Sequence, residues 1–111
     1  MVEIKGNRSV YFDVDDTLVD WNQSHSEDAL AFNNNGYIEM LKPKWDIIKK
    51  LKEHKRNGDT IIVWSQNGWD WCKEVVTTLS IESYVDAVIT KPDIYYDDLN
   101  CKEFMKNWIK A

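Results

Sequence analysis

The sequence has few features of membrane proteins or of disulfide-stabilised proteins. It contains no apolar run near the ~20 residues that a transmembrane helix needs. Residues 1–7 are polar and charged, unlike the start of a signal peptide. Its two cysteines, Cys72 and Cys101, are far apart on apolar stripes of predicted helices, so we expect reduced core thiols, not a disulfide or a metal site. We therefore predict a cytoplasmic protein without a membrane partner.

Positive charge is also scarce. The chain has 14 basic and 19 acidic residues, a formal net charge of -5, which counts against nonspecific binding to long nucleic acids. A small phosphorylated ligand remains compatible with this charge if its site is locally positive. With 111 residues and neither repeats nor a linker, the sequence predicts one domain, 1–111, with a single modest core.

The most informative feature is an acidic cluster that follows a short apolar run. Val10–Phe12 predicts a strand, at about 9–14, and Asp13, Asp15 and Asp16 come directly after its apolar residues. In extended backbone Asp13 and Asp15 project to the same side, while Val14 points towards the core. Two carboxylates this close favour a divalent cation, a proton or both between them.

Three further apolar runs end in polar residues. They are Thr60–Trp64 before Ser65, Ala87–Thr90 before Lys91, and Ile94–Tyr96 before Asp97 and Asp98. Short apolar strands separated by helical patterns predict a parallel α/β sheet with helices on both faces, and such sheets bind ligands beyond the carboxyl ends of their strands. Oxygen ligands without Cys/His spacing suit Mg²⁺.

The sequence Asp13–Leu18 resembles the first motif of the haloacid dehalogenase superfamily, Asp-x-Asp-x-Thr. Ser65, Lys91 and the Asp97–Asp98 pair resemble its second, third and fourth motifs, in the same order. The resemblance implies a Rossmann-like phosphatase domain that uses Mg²⁺. Asp16 replaces the family's commoner glycine, and we interpret it as a turn residue without a chemical role.

The resemblance also implies a role for each of these residues. Asp13 would be the nucleophile that becomes phosphorylated, and Asp15 would be the acid/base, with its backbone carbonyl on Mg²⁺. Ser65 would bind the phosphoryl group, and Lys91 would neutralise it. The metal ligands would be Asp13, Asp15 and the fourth-motif pair. Within that pair we favour Asp98 over Asp97 as the direct ligand by a narrow margin.

Residues of about 18–41 are predicted to form a small flap. Ala29–Phe32, the turn Asn33–Gly36 and Tyr37–Met40 read as a β-hairpin, and the resemblance implies that such a hairpin closes over the active site. Neither the interval from Asp15 to Ser65 nor that from Ser65 to Lys91 has room for a cap domain. We therefore expect an open site.

Three helices are predicted outside the motifs. One begins at Pro43 and runs to about Lys55, with Gly58 just beyond it. A second carries the apolar stripe of Cys72, Val75, Val76 and Leu79, and a third carries Cys101, Phe104, Met105 and Trp108; both stripes are expected in the core. The segment from Met1 to Arg8 is expected to be frayed or at a sheet edge.

The sequence predicts a phosphohydrolase acting on a phosphomonoester, with a nucleotide or a nucleic-acid end as the first substrate class. Phosphosugars and phosphoproteins are the alternative substrates, and a noncatalytic phosphate-binding module is the alternative function. Several of these residues could also have a purely structural role. Ser65 could be an ordinary strand-end hydroxyl and Lys91 a solvated loop lysine. Trp21, Trp64 and Trp69 could line the site or pack in the core or at its rim.

Overall fold

A computed structural model describes residues 8–105 and 107–111, so most of the predicted N-terminal segment lies outside the described residues. The strands are β1 (Ser9–Asp13), β2 (Val19–Asp20), β3 (Leu30–Asn34), β4 (Tyr37–Pro43), β5 (Thr60–Ser65) and β6 (Ala87–Thr90). The helices are α1 (Trp45–Arg56), α2 (Trp69–Thr78) and α3 (Cys101–Phe104), and a 3₁₀ turn covers Glu82–Tyr84. The class is α/β, as the sequence predicts.

The central sheet is parallel and has the order β1-β5-β6. Tyr11 lies beside Ile62, and Ile62 lies beside Ala87. β-Branched residues dominate these strands because their side chains pack well on a pleated surface. Ile61 and Val63 of β5 are fully buried and belong to the single core of the described residues.

The two long helices pack against the same side of this sheet. The strand order follows the chain order, and right-handed crossovers then place both connections on one face. Buried side chains of both helices share one core with Phe12, Ile61 and Val63. The opposite face carries Tyr11 and Ile89, which are exposed. The expectation of helices on both faces is therefore wrong for the described residues.

The predicted hairpin is confirmed. β3 and β4 pair antiparallel with Asn34 opposite Tyr37, and β2 adds a short third strand beside β4. Asn35 and Gly36 form the turn with φ values of 52° and 93°, the left-handed region that a two-residue hairpin turn uses and that these residue types tolerate. The strands extend further than predicted, to Asn34 and Pro43.

The first helix begins later than predicted. Pro43 is the last residue of β4, beside Val19, and α1 starts at Trp45. The residue before the helix, Lys44, donates its backbone N–H to the Leu18 carbonyl at 2.8 Å, which ties this junction to the turn after β1. The predicted α2 stripe is confirmed, because all four of its apolar residues are buried.

The C-terminal predictions are wrong in two respects. Residues 94–96 form no strand, and the side chain of Tyr96 is 97% exposed. α3 ends at Phe104, and Trp108 is 83% exposed instead of buried in the core. Lys106 lies outside the described residues. Among the helices of the described ranges, none has the length and apolar composition to cross a membrane.

Candidate active site

Four of the predicted residues, Asp13, Asp15, Ser65 and Lys91, meet at the carboxyl end of the parallel sheet. Asp13 ends β1, Ser65 ends the neighbouring β5, and Lys91 directly follows β6. The strand register places Asp13 beside Trp64, and the Lys91 N–H donates to the Ser65 carbonyl at 2.9 Å. Because the three strands end at one edge, their polar residues share that edge.

The turn after β1 fixes the acidic cluster. Asp16 has a φ of 62°, in the left-handed region that glycine adopts most readily and aspartate tolerates. The N–H groups of Thr17 and Leu18 both donate to the Val14 carbonyl, at 3.1 and 2.9 Å. Val14 and Leu18 are fully buried, so they anchor the turn while its carboxylates remain accessible.

Asp13 is the accessible carboxylate of the cluster. Its Oδ1 lies 3.7 Å from Lys91 Nζ, and its Oδ2 accepts a hydrogen bond of 3.4 Å from the Thr17 hydroxyl. The side chain of Asp13 is 33% exposed and that of Lys91 is 35% exposed, so both remain open to solvent and to a ligand. Lys91 Nζ also lies 5.5 Å from the centroid of the Trp64 ring, a cation–π distance that restrains the ammonium group.

Asp15 is held more tightly, by four donors. Its Oδ1 accepts the indole N–H groups of Trp21 at 2.8 Å and Trp71 at 3.1 Å. Its Oδ2 accepts the Asn67 side-chain amide at 2.8 Å and the Ser65 hydroxyl at 3.2 Å. These contacts use both oxygens and fix the plane of the carboxylate. Asp13 and Asp15 therefore differ in kind, because one contacts a cation and the other only neutral donors.

Ser65 connects the sheet to the helix that follows it. It is fully buried, and its hydroxyl accepts the Asn67 backbone N–H at 3.0 Å while it donates to Asp15. Its carbonyl also accepts the Gly68 N–H at 3.2 Å. These bonds make a tight turn between β5 and α2. The Ser65 hydroxyl therefore interacts with Asp15, and a ligand would have to approach this hydroxyl from the side of Asp15.

Cys72, a residue of α2, lies beneath the acidic cluster that follows β1. Burial raises the pKa of its thiol to about 12, and the negative charges of Asp15 and Asp13 add to that shift. The thiol contacts the Ile89 carbonyl at 3.6 Å. Cys72 is thus the reduced core thiol that the sequence predicts, whereas Cys101 is only half-buried and also free.

The structure does not bring the fourth predicted pair to this cluster. Asp97 and Asp98 lie in an exposed segment after β6. The Asp97 carboxylate accepts the Leu99 N–H at 3.0 Å, and this bond, together with a hydrogen bond to Asp98, lowers the pKa of Asp97. Within residues 8–105 and 107–111, no three Asp, Glu, His or Cys side chains are grouped to hold a metal ion.

The donor chemistry at Asp13 still suits Mg²⁺. This ion takes oxygen ligands and usually binds through one or two carboxylates, several waters and the substrate phosphate. The Asp13 carboxylate is accessible and makes one weak hydrogen bond, whereas the Asp15 side-chain oxygens are occupied by four donors. A cation here would use the Asp13 carboxylate rather than the Asp15 side chain.

Two of the groups that position Asp15, Asn67 and Trp71, are not predicted from the sequence. A signal for Trp71 existed, since it precedes Cys72 on the buried side of α2 and a buried indole N–H needs an acceptor. Of the tryptophans considered, Trp21 lines the site, Trp64 contacts Lys91, and Trp69 is 54% exposed.

Comparisons of the chain with protein-family models, with curated proteins and with solved structures found no match.

Proposed function

We propose that this chain is a Mg²⁺-dependent phosphohydrolase of the haloacid dehalogenase type, which hydrolyses a phosphomonoester through an aspartyl-phosphate. The observation that carries the proposal is the pairing of an accessible carboxylate, Asp13, with Lys91 at 3.7 Å, at the carboxyl end of a parallel sheet. A carboxylate nucleophile beside a fixed cation suits attack on an anionic phosphoryl group. Asp15 supplies a second carboxylate for proton transfer.

The arrangement of the chain supports a Rossmann-like domain with a hairpin flap. The β3–β4 hairpin follows the first acidic motif, and Glu74 of α2 accepts the Asn33 N–H at 2.9 Å, which holds the hairpin beside α2. In this proposal the hairpin limits access of water to the reacting groups. The segments that connect the motif-bearing strands are too short to form a cap domain, so the rest of the site is open to solvent.

In the first step, a carboxylate oxygen of Asp13 attacks phosphorus in line with the leaving oxygen. The bond from phosphorus to that oxygen breaks, and Asp15 donates its proton to the departing alkoxide. Lys91 stabilises the charge on the other phosphoryl oxygens. In the second step, water attacks phosphorus while Asp15 accepts the water proton. The bond to Asp13 then breaks and inorganic phosphate leaves.

The contacts of Asp15 suit this exchange of a proton. The indole groups at Oδ1 can only donate, so this oxygen remains an acceptor. At Oδ2, the Ser65 hydroxyl can rotate to accept, and the Asn67 amide can flip to present its oxygen. The proton is therefore best accommodated on Oδ2, which is the oxygen that faces these two adaptable groups.

The residues proposed to hold Mg²⁺ are Asp13 and the backbone carbonyl of Asp15, with Asp98 or Asp97 as the further carboxylate that the resemblance implies. When bound, the ion would neutralise negative charge on the phosphoryl oxygens. To bind this ion, Asp97 or Asp98 would have to move towards Asp13 from the exposed segment after β6. Asp13, Asp15 and Lys91 keep the same proposed roles whether or not Asp97 and Asp98 approach the ion.

The test is hydrolysis of an aryl phosphate by the full chain, with and without Mg²⁺. We expect turnover that depends on Mg²⁺ and is abolished by Asp13→Asn. Asp46→Asn is the matched control, because Asp46 is an exposed aspartate in the first turn of α1 and is not one of the residues proposed to act on the substrate. Mass spectrometry of rapidly quenched enzyme should detect phosphate on the peptide that contains Asp13. No turnover with the aryl phosphate or with a panel of nucleotides and sugar phosphates would refute the enzyme.

A noncatalytic phosphate-binding module is the second candidate, and the position of Asp97 and Asp98 outside the cluster favours it. Such a module would retain the positive charge of Lys91 without a complete metal site. The same experiment separates the two functions. Binding of inorganic phosphate that depends on Lys91, together with no turnover of any phosphomonoester, would identify the module.

A further inference from the structure

A polar cleft lies between the hairpin turn and the first turns of α2. Its volume is about 230 Å³. This is less than the roughly 300 Å³ at which pockets for drug-sized ligands begin, and about that of eight water molecules in the liquid. Asn33, Asn34 and Asn35 line it from the hairpin, and Asn67, Asp70 and Glu74 line it from the other side. The cleft therefore has space for a small polar molecule.

The cleft begins at the groups that hold Asp15. Asn67 and Trp71 both line it, and both donate to the Asp15 carboxylate, at 2.8 and 3.1 Å. In the proposed mechanism Asp15 protonates the leaving oxygen. The part of the substrate attached to that oxygen must then extend away from phosphorus on the Asp15 side, where this cleft lies.

The lining suits hydroxyl groups. Each asparagine amide offers two donors and a carbonyl acceptor, and a hydroxyl can both donate and accept. Asn35 and Asn67 are exposed, so the Asn35 amide is accessible to a ligand, as is the carbonyl oxygen of Asn67, whose amide N–H donates to Asp15. Trp71 lines the base of the cleft, although it is almost fully buried. Such a lining can bind the hydroxyl groups of a small polyhydroxylated molecule.

The charge of the cleft excludes further phosphates. Asp70 and Glu74 line it, and no lysine or arginine does so among the residues that the structure describes. Lys91 is paired with Asp13 at the phosphoryl position. A leaving group with its own phosphate would place like charges near Asp70 and Glu74 without a compensating cation, which is unfavourable.

We infer that this cleft binds the alcohol part of a small phosphomonoester, an uncharged leaving group rich in hydroxyls such as a monosaccharide, and that Asp70 and Glu74 reject leaving groups that carry another phosphate. The inference rests on the proposed phosphohydrolase function. It favours phosphosugars over the nucleic-acid end that the sequence first suggested, because a nucleic-acid end brings additional phosphates.

The experiment compares kcat/KM for a hexose monophosphate, the corresponding hexose bisphosphate and an oligonucleotide with a terminal phosphate, in the presence of Mg²⁺. We expect the monophosphate to exceed each of the other two by about tenfold or more, as like-charge repulsion in a partly desolvated cleft implies. An aryl phosphate is assayed in parallel to establish that the enzyme is active.

The charge is tested with the double variant Asp70→Asn, Glu74→Gln. We expect the preference for the monophosphate over the bisphosphate to fall by about fivefold, since two like charges are removed. Glu82→Gln is the control, because Glu82 is exposed in the 3₁₀ turn outside the cleft, and it should leave the preference unchanged. If the double variant does not fold, Asp70→Asn alone serves, because its carboxylate bonds to the adjoining Trp71 N–H and the amide oxygen can still accept that bond.

The outcomes distinguish the two proposals. Turnover of the aryl phosphate with a preference for the bisphosphate or the oligonucleotide overturns this inference and leaves the phosphohydrolase intact. An unchanged preference in the charge variants also overturns the role of Asp70 and Glu74. Absence of turnover with every substrate overturns the proposed function and, with it, this inference.

Discussion

The indole N–H of Trp71 donates to Oδ1 of Asp15 at 3.1 Å, although 56 residues separate the two along the chain. Trp71 is almost fully buried, and its ring lies near the rings of Trp21 and Phe32. The contact therefore connects the core under the hairpin to the proposed acid/base. It orients a carboxylate that the turn after β1 alone would leave free to rotate.

Trp71→Phe should lower kcat while changing KM little. The substitution keeps an aromatic ring in the core and removes one of four donors to Asp15. A hydrogen bond to a charged group contributes about 2 kcal/mol, which corresponds to a fall in kcat of about tenfold or more. Steady-state kinetics with an aryl phosphate measure the effect.

Trp69→Phe is the matched control, since Trp69 is exposed on the same helix. It should leave kcat unchanged. An equal loss in both variants, or an effect on KM alone, would contradict a positioning role for Trp71.

Lys91→Met should weaken inhibition by inorganic phosphate. It removes the cation 3.7 Å from Asp13, so the site would have to accept an anion beside an unpaired carboxylate. Charge-assisted hydrogen bonds to phosphate are strong, and we expect the inhibition constant to rise by about tenfold or more. Lys73→Met, a substitution of an exposed lysine on α2, should not alter it. An unchanged inhibition constant in Lys91→Met would exclude Lys91 from phosphate binding.

Cys72 should not react with thiol reagents in the folded protein. Burial, with the negative charges of Asp15 and Asp13, raises the pKa of this thiol to about 12, so very little thiolate exists at pH 8. A Cys101→Ser variant, which retains Cys72 alone, should show no reaction in absorbance assays until denaturant is added. A Cys72→Ala variant should react without denaturant because Cys101 is half-buried. Rapid reaction of native Cys101→Ser would show that Cys72 is accessible.

Asp28 should contribute stability that depends on pH. Hydrogen bonds from Ser26 and Trp45, together with Lys42, lower the pKa of its carboxyl to about 2 from the ordinary value of 3.8. A carboxyl with a lowered folded-state pKa stabilises the protein above its unfolded-state pKa, and this contribution is lost as the pH falls through the folded value. For Asp28 the loss should occur between about pH 4 and pH 2.

Urea unfolding of Asp28→Asn at several pH values measures this contribution. The variant should have a lower midpoint than the wild type at pH 7, and the difference should shrink as the pH approaches 2. Glu27→Gln alters the exposed neighbouring residue and should have no such effect. A difference between Asp28→Asn and the wild type that is constant across the range would exclude the ionised carboxylate as its source.

Local sequence patterns were sufficient for several elements of the fold. The two turn residues Asn35 and Gly36 occupy left-handed backbone between alternating strands, and this requirement depends only on neighbouring residues. The α2 stripe was predictable for the same reason, because its spacing matches one helix face. Pro43 misled the prediction because proline suits the first turn of a helix, whereas here it is the last residue of β4, beyond Leu41, at which the pairing of β4 with β3 stops.

The C-terminal segment could not be predicted in this way. Ile94–Tyr96 has strand propensity and Cys101–Trp108 has helical spacing, yet the described residues give neither segment a partner that would bury it. Propensity and spacing stabilise an element only when tertiary packing covers its apolar side. For this reason Asp97 and Asp98 do not join Asp13 and Asp15, although their place after an apolar run predicted that they would.

The placement of polar residues at the ends of three apolar strands follows from the sequence, because the change from apolar to polar is a local property of the chain. The turn at Asp16 and the hairpin turn are local in the same way. Tertiary packing, in contrast, sets two arrangements: Asp13 contacts Lys91, and Asp15 is held by Trp21, Trp71, Asn67 and Ser65. Except for the Trp21 contact, which spans six residues, these contacts join residues 50 or more apart in the sequence. Their geometry follows from how the crossovers pack the helix and the hairpin around one edge of the sheet.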